Sequence, residues 1–279
     1  MLSLFKRYRL SRHSVAHVSP FTFLTVCERI KPMSLVEFEI AQQSLEFASD
    51  WLYQQQANPQ YSDAGHIILR DDADYRYQEM LARHMAMSSV PVVLANCHEL
   101  LLEAMPVLSA EEGTLGFIHV GNSFQLKQTL DPQLGSAYHF VLSRYSNTQL
   151  FCIGVDAEHE PSHSFEYAED LGCDWLTADE SGFGYRSQLK SQLSHYLDHC
   201  NQVVLTVDLA SLVPSNGISE HKTLDNQMVI RTITQAVNSG KLKMIQLVGA
   251  KDKLIYSRQT KEIIDELCHL AAQVMHVGL

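Results

Sequence analysis

No Cys-x-x-Cys pair, no glycine-rich phosphate loop and no apolar run long enough to cross a bilayer occurs in this chain. Each absence removes a class of protein. The six cysteines, at positions 27, 97, 152, 173, 200 and 268, are scattered. Cys97, Cys152 and Cys173 lie in or beside apolar runs, where a thiol behaves as a small hydrophobe. A disulfide framework is therefore not expected, and a reducing, cytoplasmic setting is. Neither GxGxxG after the first strand nor GxxxxGK[ST] anywhere is present, so the usual nucleotide fingerprints are missing. No GxSxG elbow supplies a serine nucleophile.

Basic residues are also few. The 21 Lys and Arg against 32 Asp and Glu leave a net charge of −11, which argues against nucleic acid or an anionic membrane as partner. The opening departs from this, with Lys6, Arg7, Arg9 and Arg12 in the first dozen residues. The run Phe21 to Cys27 that follows is too short for a bilayer and lacks a cleavage site after it, so residues 1–30 read as a basic arm. Its first 20 residues have no periodic apolar face and are expected to be dispensable for folding.

What is present is a regular alternation of strand and helix. Apolar residues make up 46% of the 279 positions, enough for a large core. Ser34 and Glu37 form a capping box at the head of a helix over 34–56, with Leu35, Phe38, Ala41, Leu45, Ala48 and Leu52 at helical spacing. Strands follow at 67–69, 90–95, 115–120, 150–155, 173–177, 202–207 and 242–248. Helices are expected at 73–88, 98–105 (stopped by Pro106), 137–146, 163–171, 184–199, 223–238 and 257–276. This pattern predicts βαβ units: a three-layer α/β/α fold on a mostly parallel sheet of about eight strands, as a single domain over 31–279.

The stretch Val203-Val204-Leu205-Thr206-Val207-Asp208 carries the most information. It reads as a strand buried on both faces and ending in a carboxylate, where open α/β sheets handle ligands. Two other strand ends carry imidazoles, His98 after Val90–Ala95 and His119 within Leu115–Val120. Alone, Asp208 reads as a turn cap and each histidine as a hydrogen-bonded structural residue. Together they form a ligand set for a divalent transition metal. His159 and His163 read as solvated. His195 and His199, at i, i+4, lack the rest of an HExxH motif, and the acidic residues between Glu166 and Glu180 read as a solvated rim.

The order of these segments resembles the arginase–agmatinase–formimidoylglutamase superfamily, most closely its formimidoylglutamase branch, over about residues 85–279. Ala95-Asn96-Cys97-His98-Glu99 stands where the family has Gly-Gly-Gly-His-Asp. His119-Val120-Gly121-Asn122-Ser123 stands for Asp-Ala-His-x-Asp, and Leu134-Gly135-Ser136-Ala137-Tyr138-His139 for the Ser-Gly-Thr-x-Phe-Arg loop. Leu150 to Val155 is similar to the strand ending in Leu-Gly-Val. Leu205 to Ala210 and Gly217-Ile218-Ser219 are similar to the Asp-x-Asp strand and the turn after it. The resemblance implies an arginase-like fold. It also implies two manganese ions on two histidines and four aspartates, whose bridging hydroxide attacks a guanidinium or formimidoyl carbon.

The departures fall on that chemistry. His98 and Asp208 match ligand positions, whereas His119, Ser123 and Ala210 replace aspartates and Gly121 replaces a histidine. Leu247-Val248-Gly249-Ala250 stands where the family's substrate-holding Glu-x-Asn-Pro would be. The expectation is a non-catalytic binding or regulatory member, with a rebuilt mononuclear hydrolase of linear amidines as the alternative. His98, His119 and Asp208 are the metal candidates, and Ser136 and His139 the substrate-binding candidates. One divalent ion (manganese or zinc) and no metal at all are both left open, as are a small amidine-like ligand and a homo-oligomer.

Overall fold

A computed structural model describes residues 20–54, 61–69, 75–214 and 222–277. Most of the basic arm and the Gly217-Ile218-Ser219 turn lie outside these residues. Eight strands form one sheet: β1 (Phe21–Glu28), β2 (Tyr61–Leu69), β3 (Val90–Ala95), β4 (Leu115–Val120), β5 (Thr148–Val155), β6 (Asp174–Thr177), β7 (Gln202–Asp208) and β8 (Leu242–Val248). Their order is β2-β1-β3-β8-β7-β4-β5-β6, and every pairing is parallel.

The helices are α1 (Leu35–Gln54), α2 (Arg76–Ala86), α3 (Leu100–Leu108), α4 (Ala137–Arg144), α5 (Ser162–Asp170), α6 (Arg186–His199), α7 (Asn226–Asn238), α8 (Asp252–Ile255) and α9 (Arg258–Val277). They cover both faces. Side chains alternate along a strand, so Val203, Leu205 and Val207 pack with α1, α6, α7 and α9. Val204 faces the other way, into the layer of α2, α3, α4 and α5.

Two elements differ from the sequence reading. The run Phe21–Glu28, assigned there to the arm, is an inner strand between β2 and β3 and is buried along nearly its whole length. A continuous apolar run is what a strand covered on both faces requires, so the domain begins before residue 31. Pro106 lies inside α3 rather than ending it at 105. The helix closes only three residues later, where the amide and hydroxyl of Ser109 bond the Met105 carbonyl at 2.9 and 2.7 Å.

Candidate functional site

The strand order brings distant segments to one level of the sheet. In the register of β4, β7 and β8, His119 lies beside Thr206 and Thr206 beside Gln246. These polar side chains form a row across three neighbouring strands, on the face covered by α2 to α5. Thr206 and Gln246 interrupt otherwise apolar strands, and all three residues are fully buried, so each needs partners nearby.

The partners give the row a direction. His119 Nε2 lies 3.0 Å from the Ser123 carbonyl and Nδ1 lies 2.9 Å from Thr206 Oγ1. A carbonyl only accepts, so Nε2 carries the proton. Burial, reinforced by the neighbouring His98, lowers the His119 pKa to about 3, which keeps the ring neutral. Nδ1 is then an acceptor, and the Thr206 hydroxyl donates to it. The Tyr138 hydroxyl of α4, 2.5 Å from Thr206 Oγ1, donates in turn. The chain Tyr138, Thr206, His119, Ser123 is thus satisfied at every link.

His98, three residues beyond β3, packs edge-on against His119 with ring centroids 5.1 Å apart. Burial lowers its pKa to about 4, and its Nδ1 is buried with no hydrogen-bond partner among the described residues. Gln246 Nε2 donates to the Cys97 carbonyl at 3.1 Å, while its Oε1 is likewise buried and unpartnered. Asp208 ends β7 at the same edge. It caps the turn Leu209–Ser211, accepting from the Ala210 amide at 2.9 Å. Burial raises its pKa, opposed by that amide and by His119. His98, His119 and Asp208 therefore share the carboxyl-terminal edge of the sheet. Among the described residues, no group of three or more His, Cys, Asp or Glu side chains is arranged to hold a metal ion.

Gly121 explains how His119 fits. A Cβ at this position would stand 2.7 Å from His119 Nε2, 3.0 Å from Cε1 and 3.3 Å from the Asp208 Cβ. Only a residue without a side chain leaves the imidazole room to lie back along its own strand.

The other candidates have local duties. Ser136 is buried; its hydroxyl donates to the Gln133 carbonyl at 2.6 Å and accepts the Gln133 amide at 2.8 Å. His139 Nδ1 lies 2.7 Å from the Tyr167 hydroxyl of α5. Glu99 was not singled out from the sequence, yet its buried carboxylate accepts the Gly135 and Ser136 amides at 2.8 and 3.0 Å. It ties the end of β3 to the loop before α4, and burial raises its pKa against those bonds. His159 is exposed, as read from the sequence, and also sets its Nδ1 2.9 Å from the buried Asp156 carboxylate just after β5. His199 Nδ1 donates to the His195 carbonyl at 2.7 Å, within one exposed helix end.

An all-parallel eight-stranded sheet with flanking helices matches the arginase-like α/β fold. In structure the chain is similar to Bacillus subtilis formimidoylglutamase, with a TM-score of 0.69 at 16% identity over 90% of this chain and 87% of that one. A Trypanosoma cruzi formiminoglutamase variant solved with Mn2+ gives a TM-score of 0.71 at 12% identity, over 94% of each chain. In sequence it is similar to the formimidoylglutamase of Chromobacterium violaceum, 27% identical over 201 residues. That alignment spans 67% of this chain and 65% of the relative. No family model matches the chain. The chain has the ureohydrolase fold, and its sequence likeness runs to the formimidoylglutamase branch. No helix among the described residues is long and apolar enough to cross a membrane.

Proposed function

We propose that this chain is a formimidoylglutamase-like protein whose two-metal centre has given way to a hydrogen-bonded polar layer. On this reading it binds a small amidine-like ligand, or a partner, without hydrolysing a C–N bond. The observation that carries the proposal is His119. Its Nε2 proton is given to the Ser123 carbonyl and its Nδ1 lone pair takes the Thr206 proton. Neither nitrogen is left for a metal.

The charge balance points the same way. Two dications at close range need several anionic oxygens to offset them. The aligned positions here offer Asp208 alone, because Gly121, Ser123 and Ala210 carry no carboxylate or imidazole. The residues present do not fit a binuclear manganese centre, and no hydrolytic step is derived through one. The alternative, an amidine hydrolase with one ion at His98, His119 and Asp208, has a single feature in its favour: the buried Nδ1 of His98, without a hydrogen-bond partner among the described residues.

The test is metal analysis of protein purified without chelator, followed by turnover assays. Formimidoylglutamate, arginine and agmatine are assayed with saturating manganese. We expect substoichiometric metal and no turnover above the blank. Turnover that disappears in His98→Ala or Asp208→Ala would replace this proposal with the mononuclear enzyme.

A further inference from the structure

On the opposite face of the sheet, α6 and α7 run side by side and leave a groove of about 520 Å³ between them. In a chain of net charge −11, its walls carry Arg186, Lys190 and Arg231 and no Asp or Glu. The ion pairs among the described residues involve none of these three cations. Glu266 bonds the Thr234 hydroxyl at the groove, at 3.3 Å, and pairs with none of them either.

Two of the three cations gather at one aromatic ring. The half-exposed Phe183 ring lies 4.6 Å from the Arg186 guanidinium carbon and 5.7 Å from that of Arg231. Cation–π attraction thus gathers two like charges around one ring. Gln235 of α7 donates to the Lys190 carbonyl of α6 at 3.0 Å and to the Ser194 hydroxyl at 2.8 Å, which fixes the spacing of the two helices. The amino end of α6 opens here as well, with no side-chain cap and no acid in its first turn. Its dipole therefore adds positive potential to that of the side chains.

Three cations that form no ion pair among the described residues surround this concavity and repel one another until an anion arrives. We propose that this groove binds a small polyanion, a phosphate ester or a polycarboxylate, through guanidinium forks and the Lys190 ammonium. The proposal is independent of the metal question, since the groove lies on the other side of the sheet from His119.

The test is calorimetric titration of the full chain at low ionic strength, with inorganic pyrophosphate in one arm and citrate in the other. Saturable one-site binding of at least one is expected, and the tighter of the two identifies the anion class. The Lys190→Gln/Arg231→Gln pair should weaken binding by about tenfold or more. Lys243→Gln, whose lysine pairs with Glu111 elsewhere at 3.0 Å, should leave it within about twofold. Should the double variant fail to fold, Arg231→Lys keeps the charge, loses the fork and should still weaken binding several-fold. Failure to saturate at millimolar anion would overturn the proposal, as would equal losses in the groove and Lys243 variants. So would self-association that the groove variant abolishes without any anion binding, since the groove would then be an interface between copies.

Discussion

Acid should loosen this fold through two imidazoles that do not charge while it is folded. His98 and His119 are buried against each other, and burial takes their pKa values to about 4 and about 3. In the unfolded chain a histidine titrates at about 6.5. The folded values are depressed, so the unfolded chain binds more protons between the two. Stability is then complete above pH 6.5 and falls as the pH drops toward 4. At pH 5 each ring is about 1.5 units below its unfolded pKa, which costs about 2 kcal/mol per ring and roughly 4 kcal/mol for the pair. That is a large share of the roughly 5–15 kcal/mol that holds a domain together.

Other groups contribute to the same curve. The half-buried His66 and His84 have pKa values lowered mainly by burial and act in the same sense. Glu99 and Asp208, raised by burial, act in the opposite sense, because they gain stability on protonation. The assay is therefore a difference: denaturant unfolding at pH 7 and pH 5, in metal-free buffer, for the native chain and for His98→Asn/His119→Gln. The native chain should lose about 4 kcal/mol more than the variant. Equal losses within about 1 kcal/mol would refute the reasoning. So would an imidazole resonance of either residue titrating near pH 6.5 in the folded protein.

Thr206→Val keeps the shape of the side chain but strips the His119 Nδ1 of its donor and the Tyr138 hydroxyl of its acceptor. It should cost about 3 kcal/mol in chemical denaturation with an unchanged slope, and a loss under about 1 kcal/mol would mean the chain of bonds is not as assigned. Gly121→His alone should destabilise by about 2–3 kcal/mol, because its Cβ meets the His119 ring. Paired with His119→Asp it should recover most of that loss, giving a coupling of about 1–3 kcal/mol in a double-mutant cycle; strict additivity would contradict the steric account. Melting temperatures in EDTA and in millimolar manganese should agree within about 2 °C, because an ion stabilises only as far as the folded state binds it. A rise of many degrees would contradict a fold that stands without metal.

The layers of the fold were legible because apolar periodicity is local. Val90–Ala95, Leu115–Val120 and Leu242–Val248 fall where their patterns place them. The strand Phe21–Glu28 has an equally clear pattern, but the basic residues before it drew it into the arm. The site was less legible because its contacts are not local. Thr206 and Gln246 stand out as single polar residues in apolar strands. Nothing in either strand says that β7 lies between β4 and β8, and that order is what sets Thr206 beside His119. His98 and His119 could be named from strand ends, but not the ring contact between them. Asp156 and His159 were close enough in sequence to pair. His159 is exposed among Glu158, Glu160 and Pro161, as its sequence suggests, but nothing there shows that its partner Asp156 is buried.

On the proposed reading, the substitutions at the strand ends are not independent. Removing the aspartates from a two-metal centre leaves neutral imidazoles in a buried place, and an imidazole there must find two partners or remain partly unsatisfied. A histidine at 119 meets that demand only if position 121 gives up its side chain, since the ring occupies the space a Cβ there would need. It also needs a hydroxyl at 206 to meet Nδ1, and a main chain at Ser123 turned to take the Nε2 proton. His119, Gly121, Thr206 and Tyr138 therefore act as one solution, and Gly121→His or Thr206→Val alone should each do harm. Metal binding should return only when the ring at 119 is removed in the same step that restores a ligand at 121.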